Sequence, residues 1–111
     1  MEPWVPVAQV GDIPPGHAAR VEIDGIPVAI FNVGGDFYAL DDTCSHAEAS
    51  LSEGDLVEDR YVIECPLHGS SFDLRSGDAV TLPAVEPVRV HQIQVGDDGV
   101  LRIALAGENA A

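Results

Sequence analysis

Apolar residues fall along this chain in short runs with turn signals between them, the pattern of a protein built from strands. Trp4, Val5 and Val7 open a first strand that stops at Gly11, and Asp12-Ile13-Pro14-Pro15-Gly16 reads as a loop. Residues 20–24 and 26–33 are rich in β-branched side chains, and Asp24-Gly25 between them is a strong hairpin signal, because a type I′ turn needs positive φ at both central positions. Gly34-Gly35 makes the next turn, and residues 37–40 form a third strand of this meander. Tyr61-Val62-Ile63 is a further strand. Ser76-Gly77-Asp78 turns a hairpin spanning 70–82, and Leu82-Pro83-Ala84-Val85-Glu86-Pro87 is an extended loop. Val88 and Val90 lie on one phase of a period-two strand, Ile93 and Val95 on the other; a β-bulge near His91-Gln92 would bring both pairs to a core and point His91 outward. Asp97-Asp98-Gly99 turns the chain into a last strand, in which Leu101, Ile103 and Leu105 alternate with Val100, Arg102 and Ala104. The sequence shows no repeat and no long helix. These runs predict antiparallel sheets packed as a sandwich.

Two stretches break the pattern and carry chemistry. Cys44-Ser45-His46 follows the third strand; eighteen residues later comes Cys65-Pro66-Leu67-His68. They hold the only two cysteines and two of the four histidines, each stretch supplying one thiol and one imidazole. Two pairs of soft or borderline ligands point to a metal centre. Two sulfide-bridged irons need four protein ligands, and a Rieske centre has two His in place of two Cys on one iron. Two loops, each giving one Cys and one His, could grip such a cluster from both sides; Pro66 would stiffen the second loop and Gly69 would let its backbone turn close to the sulfides. A zinc site could use the same four residues, although its usual spacing places like ligands together. A Cys44–Cys65 disulfide would leave both histidine spacings unexplained. Leu51, Leu56 and Val57 are expected to pack beneath the centre, and His17, far from either motif, to lie on the surface.

Composition narrows the class. With 111 residues the chain is expected to be a single domain over 1–111, its cluster-binding part at about 41–84. The formal net charge of −14 argues against nucleic acid, because phosphate repulsion would dominate. It favours a soluble monomer steered towards a basic patch on a partner. Over the segment from Asp41 to Glu64, Asp41, Asp42, Glu48, Glu53, Asp55, Glu58, Asp59 and Glu64 stand against a single Arg60, so the steering charge is expected there. No run is apolar enough to span a membrane. The N-terminus lacks the basic and apolar regions of a signal peptide, so the expected location is the cytoplasm.

Cys44-x-His46 together with Cys65-Pro66-Leu67-His68-Gly69-Ser70-Ser71-Phe72-Asp73 resembles the Rieske ferredoxin family, and the likeness runs on through Leu74-Arg75-Ser76-Gly77 and Leu82-Pro83-Ala84 over essentially the whole chain. It is greatest to the small soluble ferredoxins of bacterial aromatic-ring-hydroxylating dioxygenase systems. The resemblance implies an all-β, Rieske-type antiparallel β-sandwich with a two-loop cluster-binding tip, and one 2Fe-2S cluster held by Cys44, His46, Cys65 and His68. It also implies a carrier that takes single electrons from an NAD(P)H-dependent flavin reductase and hands them to a terminal Rieske non-haem iron oxygenase. The alternative is a small Rieske subunit of a nitrite-reductase-like complex. A terminal oxygenase is not expected, since it needs a second domain with a mononuclear iron, and only His17 and His91 remain as histidine ligands.

The same resemblance lets single positions be read. Ala49 and Leu67 stand where respiratory-chain Rieske proteins carry two cysteines that cross-link the loops, so packing and the cluster must hold the loops here. Ser70 matches a serine that donates to a bridging sulfide. Phe72 stands where high-potential members have a tyrosine that donates to a ligand cysteine. Each donor raises the reduction potential; with one of the two missing, the midpoint is expected in the lower half of the range of about −150 to +300 mV for such centres. His46 and His68 are expected at the exposed end of the cluster, giving a midpoint that is flat around neutral pH. A proline-bearing segment, 82–87 here, is expected to cover one side of the cluster.

Overall fold

Asp24 and Gly25 both take positive φ, 53° and 81°, and Ile23 pairs directly with Ile26 across them. This is the tight hairpin that the dipeptide predicts. It joins β2 (Ala18–Ile23) to β3 (Ile26–Val33), and Gly34-Gly35, also at positive φ, joins β3 to β4 (Asp36–Asp41). The structure is a computed structural model, and it describes residues 4–43, 50–66, 71–80 and 87–105. The remaining strands are β1 (Val5–Gln9), β5 (Asp55–Val57), β6 (Val62–Glu64), β7 (Ser71–Asp73), β8 (Val90–Val95) and β9 (Val100–Ala104). All strand pairings among the described residues are antiparallel. They form one six-stranded sheet in the order β1-β9-β8-β4-β3-β2 and one three-stranded sheet in the order β5-β6-β7. The only helical segments among the described residues are 3-10 turns of three residues each. The expected antiparallel sandwich is thus observed.

The apolar run of β3 has a structural cause. Val28 and Ile30 point into one core with Ile13, Ile23, Ala39, Leu101 and Ile103. Ala29, Phe31 and Val33 point into a second core with Leu40, Leu51, Ile63, Cys65, Phe72, Leu74 and Val88. A strand buried on both faces shows no polar alternation. The first core is built from strands of the large sheet with Ile13; the second joins that sheet to β5-β6-β7.

This two-core plan also explains the phase change in β8. Val88 and Val90 serve the second core and Ile93 packs on the first, while Val95, expected in a core, is exposed, so the strand needs no bulge. The pairing of β8 with β4 and β9 runs in step, and the register shift observed in this sheet lies in β1, between Pro6 and Ala8. The expected bulge is therefore corrected, and with it His91. Its side chain is fully buried between the strands instead of pointing outward.

Ser71–Asp73 and the Phe72–Ala79 bridge form a short version of the hairpin predicted over 70–82. Gly77 has φ of 78°, and an added Cβ there would run into the carbonyl of Val88. Glycine is required at this point so that residue 88 can lie against the turn, where Val88 N–H donates to Gly77 O at 2.9 Å.

Candidate metal centre

Of the four predicted ligands the described residues include Cys65. Cys44, His46 and His68 lie outside them, as do Ala49, Leu67, Gly69, Ser70 and the segment 82–86. Cys65 follows β6 directly, is 2% exposed and is a free thiol. Its neighbours in the second core include Leu51, Ile63, Phe72 and Leu74. An iron-bound thiolate is tolerated in so apolar a setting because the metal offsets its charge. The strand end, the burial and the two-sulfur, two-nitrogen donor set therefore fit a 2Fe-2S centre.

Both sides of the first motif are anchored before the ligands begin. Asp42, two residues ahead of Cys44, is 1% exposed. Its Oδ1 accepts from Ser52 N–H at 2.9 Å, its Oδ2 accepts from Arg20 Nε at 3.2 Å, and its carbonyl accepts from Leu51 N–H at 2.7 Å. Thr43 and Ser50 bridge beside it. Asp41 meets Arg89 Nε at 2.9 Å and His91 Nε2 at 2.7 Å. Burial alone would raise the Asp41 carboxyl; the hydrogen bond with His91 and the bond and charge of Arg89 outweigh it and hold the group below the usual aspartate range.

The second motif is anchored through the small sheet. Leu56 pairs with Ile63 and Ile63 with Phe72; Leu51 belongs to the second core and Leu56 packs against it, whereas Val57 is half-buried and outside that core. At the end of β7, Asp73 Oδ1 accepts from the backbone N–H of Arg75 at 2.8 Å and of Ser76 at 3.2 Å. Burial would raise its carboxyl, but these bonds and the Arg75 charge lower it. The Arg75 guanidinium also lies 4.8 Å over the ring of Tyr61, which meets Tyr38 edge-on. Residues Arg60, Val62, Ser71, Asp73 and Val80 line a cavity of about 320 Å³ on the side of β6-β7 away from the core.

The acidic surface needs one correction. Asp41 and Asp42 are turned to internal partners and supply no steering charge, whereas Glu53, Asp55, Glu58 and Asp59 are exposed and Glu64 is half-buried. Sequence reasoning missed the roles of Arg20, Arg89 and His91. Their partners lie 22, 48 and 50 residues away, so no local spacing marks them. His17 is exposed, as expected. No helix among the described residues is long and apolar enough to cross a membrane.

Residues 3–93 match the family profile described as "Rieske [2Fe-2S] domain". The ferredoxin subunit of 3-phenylpropionate/cinnamic acid dioxygenase from Escherichia coli K12 is 49% identical over 86 residues, covering 78% of this chain and 79% of that one. The ferredoxin of carbazole 1,9a-dioxygenase from Nocardioides aromaticivorans IC177 superposes with a TM-score of 0.88 at 36% identity, over 92% of this chain and 97% of that one. A structure described as a complex of reduced oxygenase and oxidized ferredoxin in carbazole 1,9a-dioxygenase gives 0.85 at 40% identity, over 94% of each chain. With a fold shared with these ferredoxins and a profile match over most of its length, the chain belongs to the Rieske 2Fe-2S family, carries one Rieske-type cluster, and is an electron-transfer ferredoxin, not a catalytic chain.

Proposed function

We propose that this protein carries single electrons from an NAD(P)H-dependent flavin reductase to a terminal ring-hydroxylating oxygenase, with Cys44, His46, Cys65 and His68 holding the cluster. The observation that carries the reading is the level of likeness to dioxygenase ferredoxins, 49% identity to a curated subunit and 40% to a chain whose structure is described as a complex with its oxygenase. It favours the dioxygenase role over the nitrite-reductase-like alternative. The cluster supplies reversible one-electron chemistry when bound. The chain's own contribution is to hold thiols and imidazoles in two anchored loops and to bury Cys65 away from water.

The same reading takes residues 1–111 as one functional unit, with about 41–84 forming the cluster-binding part, working as a cytoplasmic monomer. The charge of −14 supports a soluble carrier and disfavours a nucleic-acid partner. Exposed Glu53, Asp55, Glu58 and Asp59 lie in the segment between the motifs and would meet a basic patch on either partner. The test is NAD(P)H-driven product formation reconstituted from candidate reductases and oxygenases. Turnover should depend on this protein; if no pair responds to its addition, the dioxygenase role falls while the cluster stands.

A further inference from the structure

We infer that Asp42 is a positioning residue for the cluster, and that with Gly54 it forms a latch that sets the spacing of the two ligand-bearing loops. The inference rests on the ligand assignment above and goes beyond it. A loop held only at its ligands would transmit every motion of its ends to the metal. Here Asp42 holds both ends of 44–49 at one buried point. Its backbone belongs to the incoming side, with its N–H bonded to Pro27 O at 3.0 Å, and its carbonyl and Oδ1 take the N–H groups of Leu51 and Ser52 on the outgoing side.

The turn Leu51–Glu53 then ends on Gly54, whose N–H donates to Leu51 O at 2.9 Å. A Cβ on Gly54 would overlap the carbonyl of Glu64, the residue before Cys65. Gly54 has an ordinary negative φ, so the close approach, not the backbone conformation, requires glycine. Asp55 pairs with Glu64 in the next step of the sheet. A continuous line of short contacts thus runs from the residue two before Cys44 to the residue one before Cys65.

Stability alone does not call for this arrangement. A buried carboxylate is costly to desolvate, and a well-packed apolar side chain could serve the core as well. What the carboxylate adds is direction: Oδ1 fixes Ser52 N–H while Oδ2 is fixed by Arg20. No other partner of Asp42 is needed for the latch, and it works with no covalent link between the loops.

The test compares Asp42→Asn, Asp42→Ala and Gly54→Ala in the holoprotein. Both Asp42 variants lose the charge and the acceptor for Arg20 Nε–H, but asparagine keeps Oδ1 as an acceptor for Ser52 N–H while alanine does not. Readouts are the g values of the reduced cluster by electron paramagnetic resonance, its visible circular dichroism, and the rate of cluster loss to an iron chelator. Asp42→Asn should keep near-native spectra and lose cluster within about twofold of the native rate, whereas Asp42→Ala and Gly54→Ala should shift the g values and lose cluster about tenfold faster. If either alanine variant fails to accumulate, the other carries the comparison with native and Asp42→Asn protein. Asparagine and alanine variants that behave alike, or a native-like Gly54→Ala protein, would overturn the latch. An unsubstituted protein without iron and sulfide would instead sink the ligand assignment, and the latch with it.

Discussion

His91 Nε2 lies 2.7 Å from Asp41 Oδ1, joining β8 to the last residue of β4 across 50 positions of sequence. Arg89 completes the grip from the same side, its Nε 2.9 Å from Asp41 Oδ2, and its carbonyl takes the Asp41 N–H at 3.0 Å. The strand that delivers Cys44 is therefore fixed by residues from near the end of the fold.

Replacing His91 by alanine should cost about 2–4 kcal/mol, the combined loss of a charge-assisted hydrogen bond and of a filled buried volume. Equilibrium urea unfolding checks this; a change below about 0.5 kcal/mol, the level of an ordinary surface substitution, would place the pair outside the stabilising framework. The acid side gives a second readout. The Asp41 carboxyl is lowered in the fold, so its contribution is present above the ordinary aspartate value of about 3.9 and is lost as pH falls through the lower folded value. Removing His91 should make the loss of stability on acidification through that window shallower than in the native protein.

Replacing Cys65 by alanine should abolish the cluster. Iron and acid-labile sulfide should both fall to near zero, and the red-brown colour should go with them, while the pairings of β2-β3-β4 keep a β-rich far-ultraviolet spectrum. Cys65 is a buried free thiol, and on the proposed ligand assignment its loss would leave one of four ligand positions empty. A variant that retains full iron and sulfide would show that this thiol is packing and not ligand.

Much of this organisation could be read directly from residues. Asp24-Gly25 announced its turn because only a few residues tolerate the backbone it needs, and Leu101, Ile103 and Leu105 announced theirs by alternation. The paired Cys-His spacing likewise carried the cofactor. What could not be read was global. The phase change in β8 looked like a bulge because sequence periodicity assumes one core, and this sheet buries residues of β3 and β8 in two. Asp41 and Asp42 looked like surface charge because their partners are brought in from other strands. Gly54 carries no turn signature, since its requirement comes from the carbonyl of a strand ten residues on.

Steering by the acidic surface predicts a dependence on salt. Reductase-to-ferredoxin and ferredoxin-to-oxygenase transfer should slow as ionic strength rises, chiefly through second-order association, because exposed charges are screened over about 8 Å at physiological salt. Charge reversal at the exposed Asp55 or Glu58 should raise the apparent KM of the partner reaction and flatten its salt dependence, with little change in midpoint. Reversal at Asp42 should act differently, through cluster content, because that carboxylate is buried. Equal salt slopes for native and Asp55→Lys protein would remove this part of the surface from the docking process.

The final prediction concerns Phe72, which is fully buried opposite Ile63 and shares a core with Cys65. Phe72→Tyr adds one hydroxyl to an apolar place. If the hydroxyl reaches the Cys65 sulfur, it donates to a ligand whose electron density grows on reduction, so the reduced state gains more than the oxidised one and the midpoint rises. If it finds no acceptor, the cost is the desolvation of a polar group, about 1–3 kcal/mol of stability with no change in midpoint. The two outcomes separate in one experiment that pairs protein-film voltammetry with thermal unfolding. We expect a higher midpoint with stability kept, and a starting value for the native protein in the lower half of the range of about −150 to +300 mV. A native midpoint near the positive extreme would show that the missing hydroxyl is not what sets the potential. An unchanged midpoint with a lower unfolding temperature would mean that Phe72 serves the core alone.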